Sequence, residues 1–106
     1  MNKKYIIRKN EEIQSIINTS KKEVNKFFVV YYKDNDHIYN RYCISVSKKI
    51  GKANVRNLLK RRIKDILMKN KFNNSKDYVI ILRNEVLSLS YENLNKEIVK
   101  ILGGKN

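Results

Sequence analysis

After Gly51 the apolar residues of this chain change period, and that change constrains the fold more than any other feature. Val55, Leu59, Ile63 and Ile66, with Leu67 beside the last, fall on the i, i+4, i+8 and i+11 positions of an amphipathic helix. The pattern predicts a helix from about Ala53 to Lys69, broken by Asn73-Asn74-Ser75. The segments around it read as strands. Lys26 to Tyr32 and Arg41 to Ser47 are rich in aromatic and β-branched residues, and Asp34-Asn35-Asp36-His37 between them is a polar turn. Their close spacing predicts an antiparallel hairpin. Asp77-Tyr78-Val79-Ile80-Ile81-Leu82 is a short continuous apolar run, the mark of a strand buried on both faces.

Helices are expected at both ends. Asn10 reads as an N-cap, with Glu11 and Glu12 in the first turn and Ile13, Ile16 and Ile17 on one face, ending near Asn18-Thr19-Ser20. Ser90 caps a last helix whose core face is Leu94, Ile98 and Ile101 or Leu102, closing at Gly103-Gly104. The order α-β-β-α-β-α describes an α+β, two-layer sandwich with room for one further short strand. At 106 residues it is expected to form a single domain over 1–106, with 42% apolar residues to fill one modest core.

Charge narrows the function. The formal net charge is +14, which costs stability by self-repulsion and so implies a polyanionic partner. From Arg41 to Lys64 there are nine basic residues and no acid. Exposed helices ordinarily mix signs, because like charges four residues apart repel. Lys52, Arg56, Lys60 and Lys64 nevertheless repeat at that interval with nothing to neutralise them. Only six of the 24 basic residues are arginine, yet Arg56, Arg61 and Arg62 cluster here, where a planar guanidinium can grip phosphate in two places. Asn57 shares the face of Arg56, Lys60, Arg61 and Lys64. Nucleic acid is the favoured partner over an anionic membrane, because the helix's apolar side lacks Trp and Phe and is needed by the strands.

Other chemistries find little support. One cysteine, Cys43, and one histidine, His37, cannot make a zinc site, and a lone thiol fits a reducing cytoplasm. Asp34, Asp36 and His37 are turn formers before they are metal ligands. The aromatic signature of an RRM and the GXXG loop of a KH domain are missing, and flanking strands disfavour a helix-turn-helix. The N-terminal stretch does not read as a signal peptide, and no apolar run approaches the roughly 18 residues of a membrane span.

The run from Ser45 through Lys64, SVSKKIGKANVRNLLKRRIK, resembles the signature of the bacterial ribonuclease P protein family: an SVSKK strand end, a G-x-A turn and an "RNR" helix. Lys9 to Glu12, Phe28 to Tyr31, Asp77 to Ile81 and Ser90 to Glu92 resemble that family's first helix, first core strand, late strand and last helix cap. The resemblance implies an α+β sandwich with a left-handed crossover at the basic helix. It implies a large catalytic RNA as partner, removal of 5′ leaders from precursor tRNA, and Mg2+ held at the RNA active site. No catalytic side chain, protein-held cofactor, further protein partner or membrane is implied, and a cytoplasmic location is expected. Arg56, Asn57, Lys60, Arg61 and Lys64 would face RNA, with Lys48, Lys49, Lys52 and Arg62 extending that surface. Ile13, Ile17, Phe28 and Tyr31 would line a cleft for the leader. Leu58 departs from the pattern, standing where the second arginine is expected. Using Arg62 in its place should move the charge round the helix. Ile13 and Ile17 stand where aromatics are common, so base stacking worth about 1–3 kcal/mol per base is not available from them. The rival class is a non-catalytic RNA-binding protein of ribosomal type.

Overall fold

The computed structural model describes residues 1–103, so the expected helix end at Gly104 lies outside the described residues. A 3-10 turn at Lys3–Tyr5 precedes α1 (Asn10–Thr19), β1 (Lys21–Val24), β2 (Phe28–Asp34), β3 (Arg41–Ser45), α2 (Ala53–Asn70) and β4 (Lys76–Leu82). A second 3-10 turn, Asn84–Ser88, leads into α3 (Tyr91–Leu102). The helices and strands expected from the apolar pattern are present within a residue or two at most ends. Ser90 caps α3 as expected, its Oγ accepting from the Asn93 amide at 3.2 Å. At α1 the cap residue is Lys9 rather than Asn10, and no side chain bonds the helix start.

The strand order is β1-β2-β4-β3. β4 is antiparallel to β2 and parallel to β3, with Ile80 opposite both Val30 and Ile44. The expected β2–β3 hairpin is therefore absent: the two strands are separated by β4. The reason lies in β4 itself, where every residue except Ile81 is buried. A β2–β3 hairpin would leave that apolar strand at an edge with half its backbone groups unpaired. The residues between β2 and β3 brace the insertion. Asn35 donates Nδ2 to Asp77 at 2.9 Å, and Asn40 Oδ1 accepts from the amides of Lys76 at 2.9 Å and Asn74 at 3.2 Å. β1 fills the allowance for one short strand. Its sequence, KKEV, has no apolar alternation, and it pairs with β2 as an exposed edge.

Side chains alternate across the sheet. Phe28, Val30, Tyr42, Tyr78, Ile80 and Leu82 meet α2 and α3, through Leu59, Ile63, Ile66 and Leu67 and through Leu94, Ile98, Ile101 and Leu102. On the opposite face Tyr31, Cys43, Val79 and Ile81 meet Ile7 and the Ile13, Ile16 and Ile17 side of α1. The two expected layers thus gain a partial third, because a strand as apolar as β4 must be covered on both sides.

One polar cluster fastens α1 to this second face. Arg41 donates Nε and Nη2 to the two oxygens of Asp77 at 3.0 and 2.7 Å, and Nη2 also reaches Glu12 on α1 at 2.9 Å. The Asp77 side chain is 4% exposed and that of Arg41 18%. Removing one member of such a pair strands the other in a poorly solvated site. The Arg41→Ala variant is expected to lose about 3 kcal/mol in urea unfolding; a loss below about 1 kcal/mol would mean that the cluster does not hold α1 in place.

Candidate nucleic-acid interface

The basic segment starts where β3 ends. Val46 and Ile50 are buried, and the Ile50 amide donates to the Ser47 carbonyl at 3.1 Å, closing a turn that pushes Lys48 and Lys49 into solvent. Gly51 follows because the chain passes close to α2: a Cβ there would lie 3.1 Å from Val55 Cγ1. Lys52 occupies the cap position without capping, and the first turn of α2 holds no acid. The N-terminal end of a helix is positive, so cations here are locally unfavourable and an anion is favoured.

Along α2 the two sides divide cleanly. Leu59, Ile63, Ile66 and Leu67 are buried against the sheet and α3. At about 100° per residue, Arg56, Lys60 and Lys64 climb one ridge with Asn57 and Arg61 beside it. Lys52, Asn57 and Arg61 are exposed, while Arg56, Lys60 and Lys64 are half-buried along their stems. None of these cations forms an ion pair among the described residues. The one acid of α2, Asp65, accepts a hydrogen bond from the Tyr91 hydroxyl on α3, away from the ridge. Arg56 Nε is buried and has no hydrogen-bond partner among the described residues. A desolvated guanidinium donor without an acceptor is costly, and a phosphate oxygen is its natural complement.

Arg62 does not join this ridge. It lies about 200° round the helix from Lys60 and one turn beyond Leu58, only about 40° round from it. The expected shift of charge round the helix is therefore small, and the displacement is about 6 Å along the axis. Leu58 and Arg62 are both half-buried there, and the ridge is completed by lysine instead.

The second expected surface is partly assembled. Ile13 and Ile17 of α1 stand beside Tyr31, Cys43 and Ile81 on one face of the sheet. The Lys22 ammonium sits 5.9 Å from the Tyr31 ring centre. Phe28 is not part of this cleft. It is fully buried on the opposite face, among Val30, Tyr78 and Leu82. Phe28 and Tyr31 are three positions apart, and an odd spacing in a strand puts two side chains on opposite faces. That parity was the signal available in the sequence.

The ridge reaches the side of the sheet near β3. Lys60 and Lys64 join Ile6, Ile7, Tyr42, Cys43 and Ile44 around a hollow of about 150 Å³. The N-terminal segment reaches it by an unforeseen route, Ile6 bridging to Tyr42 and the Ile7 amide donating to the Tyr42 carbonyl at 2.8 Å. Burial pushes the Cys43 thiol up, against a smaller opposite pull from the nearby Lys60 charge, so the thiol stays protonated at neutral pH. Asp34 is engaged by Lys76 at 2.5 Å, and His37 stacks on Tyr39. No three His, Cys, Asp or Glu side chains converge on a metal position among the described residues. Nor is any helix among them long and apolar enough to cross a membrane.

The chain is similar to known proteins over nearly its whole length. A family model described as ribonuclease P matches residues 1–105. The ribonuclease P protein component of Mycoplasma mycoides is 48% identical over 106 residues, covering 96% of each chain. That of Bacillus cereus is 40% identical over 95% of this chain and 90% of its own. Among solved structures, the RNase P protein of Staphylococcus aureus superposes with a TM-score of 0.86 at 31% identity, covering 93% of each chain. That of Thermotoga maritima gives 0.88 at 27% identity, covering 94% of this chain and 96% of its own.

The uncapped, cation-lined start of α2 should be improvable as a helix. Lys52 is exposed and already has the extended backbone of a cap residue. Lys52→Asp is expected to raise unfolding stability by about 1 kcal/mol through capping and the helix dipole. Urea titration checks this, and no gain would mean that the helix start is not electrostatically strained.

Proposed function

Because the chain belongs to the bacterial ribonuclease P protein family, a protein subunit of a tRNA-processing endoribonuclease, we propose that the α2 ridge docks on the catalytic RNA. On the same reading, the cleft beneath α1 receives the single-stranded 5′ leader of precursor tRNA. The observation that carries the first part is the row Lys52, Arg56, Lys60 and Lys64, without an ion pair among the described residues and led by Arg56 Nε, which has no hydrogen-bond partner among them. Phosphates would replace the missing carboxylates, relieving repulsion within the helix and releasing counterions from the RNA. Lys48 and Lys49 extend the surface beyond the turn, and Asn57 and Arg61 add donors to it.

For the leader, Tyr31 offers one aromatic face, with Lys22 beside it for a phosphate. Ile13 and Ile17 contribute apolar contact without stacking. The grip is therefore expected to be weak in base preference and strong in charge. The chain brings RNA segments together and lowers their mutual repulsion, while Mg2+ at the RNA active site supplies the hydrolytic chemistry. This takes place in the cytoplasm.

Reconstitution with a bacterial ribonuclease P RNA at low magnesium is the test, read as cleavage of precursor tRNA. Stimulation is expected, and an unstimulated RNA would refute the reading. In the same system the double variant Arg56→Ala/Lys60→Ala should reduce the slope of log affinity against log salt by about 2, one for each lost phosphate contact. An unchanged slope would place the interface elsewhere.

A further inference from the structure

A cavity of about 450 Å³ opens at the far end of α2. It lies between the N-terminal 3-10 turn, the β2–β3 connection and the last turn of the helix, about 22 Å along the axis from Arg56. Its size falls in the range of small-molecule sites, about 300–1,000 Å³. The leader cleft is on the other face of the sheet, so this cavity belongs to neither surface described above.

The lining has a consistent chemistry. Tyr5 and Tyr39 meet edge to face, with ring centres 5.4 Å apart and an interplanar angle of 86°. Lys4 Nζ lies 5.0 Å from the first ring centre and 5.1 Å from the second. Met68 and Phe72 add apolar surface, Lys71 a second cation, and no carboxylate among the described residues lines the space. At the mouth Ile38 is 86% exposed, an apolar side chain left uncovered.

Two details mark the cavity as more than a packing gap. Lys71 ends α2 in the left-handed region at φ 52°, a position that glycine or asparagine usually takes. A lysine held there at a conformational cost supplies a charge to the cavity. Tyr42, 2% exposed, accepts a hydrogen bond from Asn40 Nδ2 at 3.2 Å, which leaves its own hydroxyl proton to donate. Burial pushes that phenol up, so it remains a donor at neutral pH.

We propose that this cavity is a second RNA site that receives one unpaired nucleotide, its base against Tyr5, Tyr39 and Met68 and its phosphates on Lys4 and Lys71. Aromatic faces with flanking lysines are how single-stranded RNA is held without sequence readout. Two cations with no facing acid among the described residues disfavour a cationic ligand, and the aromatic lining suits a planar ring better than an aliphatic chain. The proposal rests on RNA being the partner, but not on the α2 ridge being the docking surface.

The test is an NMR titration of the isotope-labelled full chain with a short unstructured RNA oligonucleotide. Tyr5, Tyr39, Met68 and Lys71 should shift saturably, independently of the Arg56 and Lys60 resonances. Tyr39→Ala should weaken the cavity response about tenfold and leave the ridge response intact. Lys71→Gly, which suits the left-handed backbone and so keeps the fold, should weaken it as well. Shifts confined to the ridge or cleft would overturn the proposal. So would an equal cavity response to inorganic polyphosphate, which lacks bases, or a response to phosphatidylglycerol vesicles in place of RNA. A cavity response without a ridge response would support this site and count against the proposed docking surface.

Discussion

The structure depends on covering β4 from both sides. Six of its seven residues are buried, so it can sit neither at an edge nor against solvent. Placing it between β2 and β3 pairs both of its backbone edges. α2 and α3 then cover one face and α1 the other. The chain leaves β3, crosses as α2 and returns as β4 alongside, and the helix is held to the sheet along the whole of its apolar side. Its opposite side is fixed in space as a consequence. The ridge of cations is therefore presented on a rigid support, which suits docking on a structured RNA better than a mobile basic tail would.

That arrangement assigns two incompatible demands to one helix and separates them by angle. Leu59, Ile63, Ile66 and Leu67 stabilise the fold, while Lys52, Arg56, Lys60 and Lys64 tax it by mutual repulsion and by crowding the positive end of the helix. The Arg41–Asp77–Glu12 cluster has a different role. It ties α1 to β3 and β4 on the face of the sheet that carries Ile13, Ile17 and Tyr31. On the proposed function, binding is carried by charges that folding alone would not select, held in place by a core and one part-buried ion cluster.

Much of this was legible from sequence because local periodicity determines it. The extent of α2, the burial of the 77–82 run, the Ser90 cap and the acid-free ridge all follow from patterns within single elements. The order of the strands did not. Two runs close in sequence suggested a hairpin, yet the partner of β2 is decided by which strand needs two covered faces, and by Asn35 and Asn40 bonding to residues more than thirty positions away. β1 was only allowed for, since an exposed edge strand such as KKEV carries no apolar alternation. Phe28 was misplaced although strand parity separates it from Tyr31. The contact of Arg41 with Asp77 and Glu12 joins three elements, and no local pattern announces it.

One side of α2 is assigned to the fold and the other to RNA, and alanine substitution along the helix, with two readings on every variant, tests that division. Unfolding free energy and affinity for a bacterial ribonuclease P RNA would be measured in the same buffer. Leu59, Ile63 and Ile66 variants are expected to lose about 2–5 kcal/mol of stability and to bind normally wherever they remain folded. Arg56, Lys60 and Lys64 variants should keep or gain stability and lose affinity. Affinity losses spread evenly round the helix, or absent from the ridge, would contradict it.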